Sequence, residues 1–91
     1  MMLDISRSSQ KFLLKLQTPK QYKQITSKII SLLKNPKPND SKHLSGYPGY
    51  YRVDSGEYRI IYSNSESIIN IVVVNKRNDD QVYKQMKRAN A

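Results

Sequence analysis

Residues 50–83 read YYRVDSGEYRIIYSNSESIINIVVVNKRNDDQVY, and this stretch decides the fold. Tyr50–Asp54 alternates, with Tyr51 and Val53 on one side and Tyr50, Arg52 and Asp54 on the other. Ser55-Gly56 predicts a tight turn. Glu57–Ser63 alternates again, with Tyr58, Ile60 and Tyr62 opposite Arg59 and Ile61. Asn64–Ser67 reads as a four-residue polar turn. Ile68–Val74 is β-branched at every position but Asn70, the composition of a central strand buried on both faces. Period-two segments separated by short turns form an antiparallel meander.

Upstream, Met2–Ser6 alternates Leu3 and Ile5 with Asp4 and Ser6, a short half-buried strand. Ser6, Ser8 or Ser9 can cap a following helix. That helix sets Phe12, Leu13 and Leu16 against Lys11 and Lys15. Thr18-Pro19-Lys20-Gln21 announces a second helix, with Thr18 as N-cap, Pro19 in the first turn and Gln21 three residues after the cap. Tyr22, Ile25, Ile29, Leu32 and Leu33 give it one apolar stripe. Asn35-Pro36-Lys37-Pro38 stops it, because proline cannot continue a helix and disfavours it in the residue before. Residues 39–49, NDSKHLSGYPG, form a polar loop in which Leu44 alone is expected to tuck inward. Downstream, Asp79–Arg88 predicts a short helix whose apolar side is Val82, Tyr83 and Met86.

The expected fold is therefore α+β, in the order β-α-α-β-β-β with a short C-terminal helix. A helical hairpin packs on one face of a mainly antiparallel sheet, since each element has one apolar side to hide. The other face is expected to be free. If Tyr51, Val53, Tyr58, Ile60 and Tyr62 point at the helices, the pleat puts Arg52 and Arg59 on that free face. Lys76-Arg77, leaving the neighbouring strand, joins them in a basic concave patch.

The totals narrow the class. At 91 residues the chain is expected to be one domain, residues 1–91. A domain of this size buries roughly 60–70% of the surface its unfolded chain exposes. With 37% hydrophobic and 25% charged residues it suits a globular fold. It has no cysteine, which removes disulfides and thiolate zinc sites. The first residues, MMLDISRSSQK, contain no apolar signal-peptide core. Nor does any apolar run approach the roughly 18 residues of a membrane span. The expectation is a soluble, cytoplasmic protein. Sixteen Lys and Arg against seven Asp and Glu give a net charge of +9, a field that favours nucleic acid or an acidic protein.

What the patch lacks constrains its chemistry. There is one histidine, His43, and no carboxylate pair at metal-ligand spacing, so catalysis here would run on Arg, Lys and Tyr. Those groups suit metal-free, cofactor-free RNA cleavage. The 2′-hydroxyl attacks its own phosphate, and the protein aligns it, moves protons and stabilises charge. Guanidinium groups match phosphate oxygens in pairs. Nearby cations lower a tyrosine's pKa from its usual value of about 10. DNA, lacking the 2′-hydroxyl, is not a substrate for this chemistry. Blander roles fit the same residues. Tyr83 packs a tail helix, Arg59 is a solvated strand residue, Lys76-Arg77 is a basic turn, and His43 belongs to a surface loop. The tyrosines either fill the core or stack on bases. Spacing alone reaches a basic sheet that binds nucleic acid.

Taken together, H-L-S-G at 43–46, Y-R at 51–52, G-E-Y-R-I-I-Y at 56–62 and N-K-R-N-D-D-Q-V-Y at 75–83 resemble the RelE/ParE superfamily of type II toxin–antitoxin toxins. The chain looks more like the RelE branch, whose members cut mRNA in the ribosomal A site. The resemblance implies that Arg59 and Arg77 stabilise the phosphate and that Tyr83 activates the 2′-hydroxyl. It implies RNA contacts at Arg52 and Lys76, with Lys42 and His43 as further candidates. The family pattern has a second basic residue two positions after Arg52, where this chain has Asp54. The implied partners are a cognate antitoxin, the ribosome and mRNA. Two other functions stay open: a ParE-like gyrase inhibitor that cuts no RNA, and a degenerate module that binds RNA or protein.

Overall fold

The computed structural model describes residues 2–76, 84, 86 and 87. In chain order the elements are β1 (Met2–Ile5), α1 (Arg7–Leu14), α2 (Pro19–Lys34), β2 (Lys42–His43), β3 (Tyr50–Ser55), β4 (Tyr58–Ser65) and β5 (Ile68–Lys76). The strands form one sheet in the order β1-β5-β4-β3-β2. Only the β1–β5 pair is parallel; the others are antiparallel. The α+β fold expected from the sequence is the fold observed. Lys84, Met86 and Lys87, within the expected C-terminal helix, are helical. Among the described residues no helix is long and apolar enough to cross a membrane.

Local chemistry sets the helix ends. The Thr18 side chain accepts the Gln21 N–H at 3.2 Å, and Pro19 occupies the first turn of α2. Ser6 caps α1 by accepting the Ser9 N–H at 3.2 Å. It also binds the sheet, with its N–H on the Ile71 carbonyl at 2.9 Å and its hydroxyl on the Val72 carbonyl at 2.7 Å. One serine thus fastens the helical layer to β5.

One turn is shifted from its expected place and the other is shorter than expected. The β3–β4 turn is Gly56-Glu57, one residue later than expected, and Ser55 and Tyr58 already pair. Gly56 has φ +60, as the mirror-image hairpin turns require at their first central position. The β4–β5 turn is Glu66-Ser67, with φ +50 and +66, so β4 continues to Ser65. This is the pattern of a type I′ turn built without glycine.

One face of the sheet packs on the helices. Its core joins Leu13, Ile25, Ile29 and Leu32 to Val53, Tyr58, Ile60, Tyr62, Ile69, Ile71 and Val74. The opposite face, expected to be free, is partly covered: Leu44, Ile61, Val73 and Met86 form a second buried cluster, flanked by Tyr47, Tyr50 and Val72. Leu44 reaches it because the Leu44 N–H bonds the Tyr50 carbonyl at 2.9 Å, folding the loop back on itself. Lys42–His43, expected within a loop, pair with Arg52 and Tyr51 as a short edge strand.

A β-bulge reorders the end of β5. Ile61 pairs with Val73 and Tyr62 with Ile71, so Val72 is the extra residue. Before the bulge, Ile69 and Ile71 face the helices; after it, Val74 does and Val73 faces away. The bulge changes the phase of every later residue in the strand.

Candidate nucleic-acid interface

Directly paired residues of antiparallel strands share a face, so the pairing register locates each candidate. Lys42 lies opposite Arg52, and Arg52 opposite Ile61, in one row across β2, β3 and β4. The next row is Asp54, Arg59 and Asn75. Both rows lie on the helix-free face, because Ile61 belongs to its cluster and the alternating neighbours Val53 and Ile60 face the helices. The expected placement of Arg52 and Arg59 on one face is observed, and Lys42 joins them.

His43 and Lys76 stand elsewhere. His43 pairs with Tyr51, a residue packed against the helix-side core, and the two rings lie 4.7 Å apart. Lys76 pairs with Tyr58, whose ring meets Phe12 at 5.7 Å beneath the helices. The bulge at Val72 is the physical reason. Without it, strict alternation from Ile71 would have put Lys76 with Arg52 and Arg59, as the patch reading expected. Arg77 and Tyr83, the other two residues expected to be catalytic, lie outside the described residues.

Arg59 is held by Asp54. Its Nε donates to Asp54 Oδ1 at 2.9 Å, and its side chain is 16% exposed against 36% for Asp54. Asp54, which stands where the family pattern has a basic residue, therefore sets the orientation of Arg59 and offsets its charge. Hairpin arithmetic could have found this contact: a two-residue turn at Gly56-Glu57 makes Asp54 and Arg59 cross-strand neighbours. The turn placed one residue early hid it. Arg52 and Lys42 supply the remaining positive charge of the two rows.

On the helix side, Tyr62 is fully buried and donates its hydroxyl to the Pro36 carbonyl at 2.7 Å. Burial raises its phenol above the ordinary value, while the Ser41 hydroxyl acts in the opposite direction. Tyr62 is thus a neutral anchor for the α2–β2 connection. Lys37 places its Nζ 5.3 Å from the Tyr51 ring centre, a contact between residues too far apart in the chain for any local pattern to signal. Among the described residues no three His, Asp or Glu side chains gather as a metal site would require.

A two-layer α+β domain with a cationic helix-free face is the class of small bacterial and archaeal toxins to which comparisons lead. The profile of the "ParE toxin of type II toxin-antitoxin system, parDE" matches residues 3–81. The chain therefore belongs to that family, within the RelE/ParE superfamily of type II toxins. Its structure is similar to the free Escherichia coli toxin RelE carrying two arginine-to-alanine substitutions, at TM-score 0.77 and 25% identity, covering 96% of this chain and 95% of that one. It is similar to RelE of the Pyrococcus horikoshii RelE–RelB complex, at TM-score 0.72 and 25% identity, covering 86% and 96%. The RelB–RelE complex of Methanococcus jannaschii shares the fold at TM-score 0.69 and 24% identity, covering 88% and 96%. No curated protein sequence matches.

Proposed function

We propose that this type II toxin is a ribosome-dependent endonuclease that cuts mRNA in the A site. The observation that carries the reading is the alignment of Lys42, Arg52 and Arg59 in adjacent rows of the helix-free face. Three cations on a rigid sheet fix phosphate positions, and stabilisation of developing charge needs fixed donors. The RNA 2′-oxygen attacks the adjacent phosphorus as the bond to the 5′-oxygen breaks. This leaves a cyclic phosphate on one fragment and a 5′-hydroxyl on the other. Arg59 and Arg77 stabilise the phosphorane charge, Tyr83 as its phenolate takes the 2′-hydroxyl proton, and a water molecule gives a proton to the departing 5′-oxygen. Arg52 and Lys42 hold the strand, with Lys76 and His43 as outer contacts. The reaction draws on cations and a phenol and uses no metal or organic cofactor. The ribosome supplies the alignment of mRNA, so free RNA is a poor substrate.

RelE of P. horikoshii and of M. jannaschii is found with RelB, and this toxin pairs with an antitoxin that neutralises its basic face. Expression in a host should arrest growth. Arg59→Ala, Arg77→Ala and Tyr83→Phe should each relieve the arrest while antitoxin binding persists. Full toxicity in all three would remove the nuclease reading. A second reading, a gyrase poison that cuts no RNA, is favoured by the family match and by the commitment of Arg59 to Asp54. It predicts DNA-damage signalling with intact mRNA.

A further inference from the structure

We propose that the β2 edge is a stacking site for one base of a single-stranded nucleic acid, an inference that takes nucleic acid as the partner on the reading above. The row His43, Tyr51, Tyr62 crosses β2, β3 and β4 in register. Its rings are spaced 4.7 and 5.7 Å apart. Exposure rises along the row: Tyr62 is buried, Tyr51 half-buried and His43 exposed. The inner two rungs belong to the core, one through the Pro36 hydrogen bond and the other through its packing against the helix-side cluster. The outer rung does not. Its ring ends the ladder at the rim of the sheet, and among the described residues no further ring pairs with it.

Charge surrounds this rung. Lys37 sits over the Tyr51 ring on the same side of the sheet, and Lys42, the other residue of β2, projects to the opposite face beside Arg52. A strand rounding this edge would place a base on His43 and its neighbouring phosphates between Lys37 on one side and Lys42 and Arg52 on the other. The loop carboxylate closest in sequence, Asp40, is paired with Lys28 at 2.8 Å, which limits its repulsion of phosphate. Every base has a π-face, so the site is tolerant of sequence. It lies across the edge from Arg59, and it adds grip and direction to the strand without touching the reacting atoms.

The test is fluorescence anisotropy of the full chain with a labelled ten-nucleotide oligouridylate, and with its DNA counterpart, at several salt concentrations. His43→Ala should weaken binding about tenfold, in the range of one lost base–aromatic stack, and His43→Phe should restore it. Lys37→Ala should reduce the salt slope by about 0.7 for one lost phosphate contact. Unchanged melting temperatures establish that the variants are folded. Absence of binding by the wild type, wild-type affinity in His43→Ala, or a His43→Phe variant as weak as His43→Ala would each overturn the proposal. So would a His43→Ala variant that loses only antitoxin binding, which would assign the edge to a protein. The nuclease reading fails separately: intact mRNA in a translation extract, with oligonucleotide binding that depends on His43, removes cleavage and leaves the stacking site.

Discussion

Ile60 and Ile61 are neighbours in β4, both fully buried, yet they serve different cores. Ile60 lies between the sheet and the two helices, in a cluster that draws on every strand but β2 and on both helices. Ile61 lies on the opposite face in a cluster of four buried residues. The first face makes the fold. The second has only enough apolar surface to seat Leu44 and Met86, and leaves room beside them for Lys42, Arg52, Asp54 and Arg59. The helices claim the apolar side of the sheet, and the side chains that alternate with it, Arg52 and Arg59 among them, are left on the other face.

The largest expected effect tests this division. Ile60→Ala should cost about 3–5 kcal/mol, enough to unfold much of the population of a domain with ordinary stability. Ile61→Ala should cost less, about 2 kcal/mol, because its smaller cluster can relax toward solvent. Urea unfolding followed by circular dichroism measures both. Equal losses would mean that the two faces share one core.

Ser6 offers a way to loosen one face from the other. It caps α1 and binds both carbonyls flanking the point where Val72 bulges. Ser6→Ala should lose about 1–3 kcal/mol, because a helix cap goes and the part-buried Val72 carbonyl loses the Ser6 hydroxyl. Hydrogen exchange should then quicken in α1 and in β5 near Val72 together. If protection falls in α1 alone, the serine is merely a cap.

Tyr62 separates the core from the pH response. Tyr62→Phe should cost about 1 kcal/mol at neutral pH, the hydrogen bond to the Pro36 carbonyl. Burial raises the folded phenol's pKa. As pH rises past the unfolded value of about 10, the unfolded phenol releases its proton before the folded one does. The unfolded state then binds fewer protons, so this contribution is full below that pH and is lost above it. The Phe variant should therefore lose less stability than wild type between neutral and alkaline pH. Parallel pH curves for the two proteins would exclude Tyr62 as the source.

Asp54→Asn should have the smallest effect on stability, under about 1 kcal/mol for a partly exposed pair. On the functional face it should matter more, raising RNA affinity by freeing the charge of Arg59. Salt-dependent binding measures it, and unchanged affinity would mean that Arg59 contributes nothing to the interface.

Much of this was readable in the sequence because it depends on local rules. The Thr18 cap, the proline stop after Lys34 and the alternation of β3 and β4 follow from neighbouring residues, and with them the shared face of Arg52 and Arg59. What escaped depends on distant partners. Lys42–His43 form a strand only because Tyr51 and Arg52 pair with them; two residues carry no period. The bulge at Val72 is invisible because Ile71–Val74 is β-branched throughout, so no polar residue marks the change of phase. That phase moved Lys76 to the helix side. Leu44 was expected to turn inward, but its destination, a second cluster with Ile61, Val73 and Met86, joins residues far apart in the chain. Asp54 departs from the family pattern in the sequence itself, but its grip on Arg59 depends on the cross-strand register that sets the two side by side.

Primer extension on an mRNA translated in an extract tests the central claim most directly. The wild-type toxin should produce new 5′ ends within codons, dependent on translation, and Arg59→Ala should abolish them. Intact mRNA alongside arrested growth would contradict the nuclease account and turn attention to gyrase.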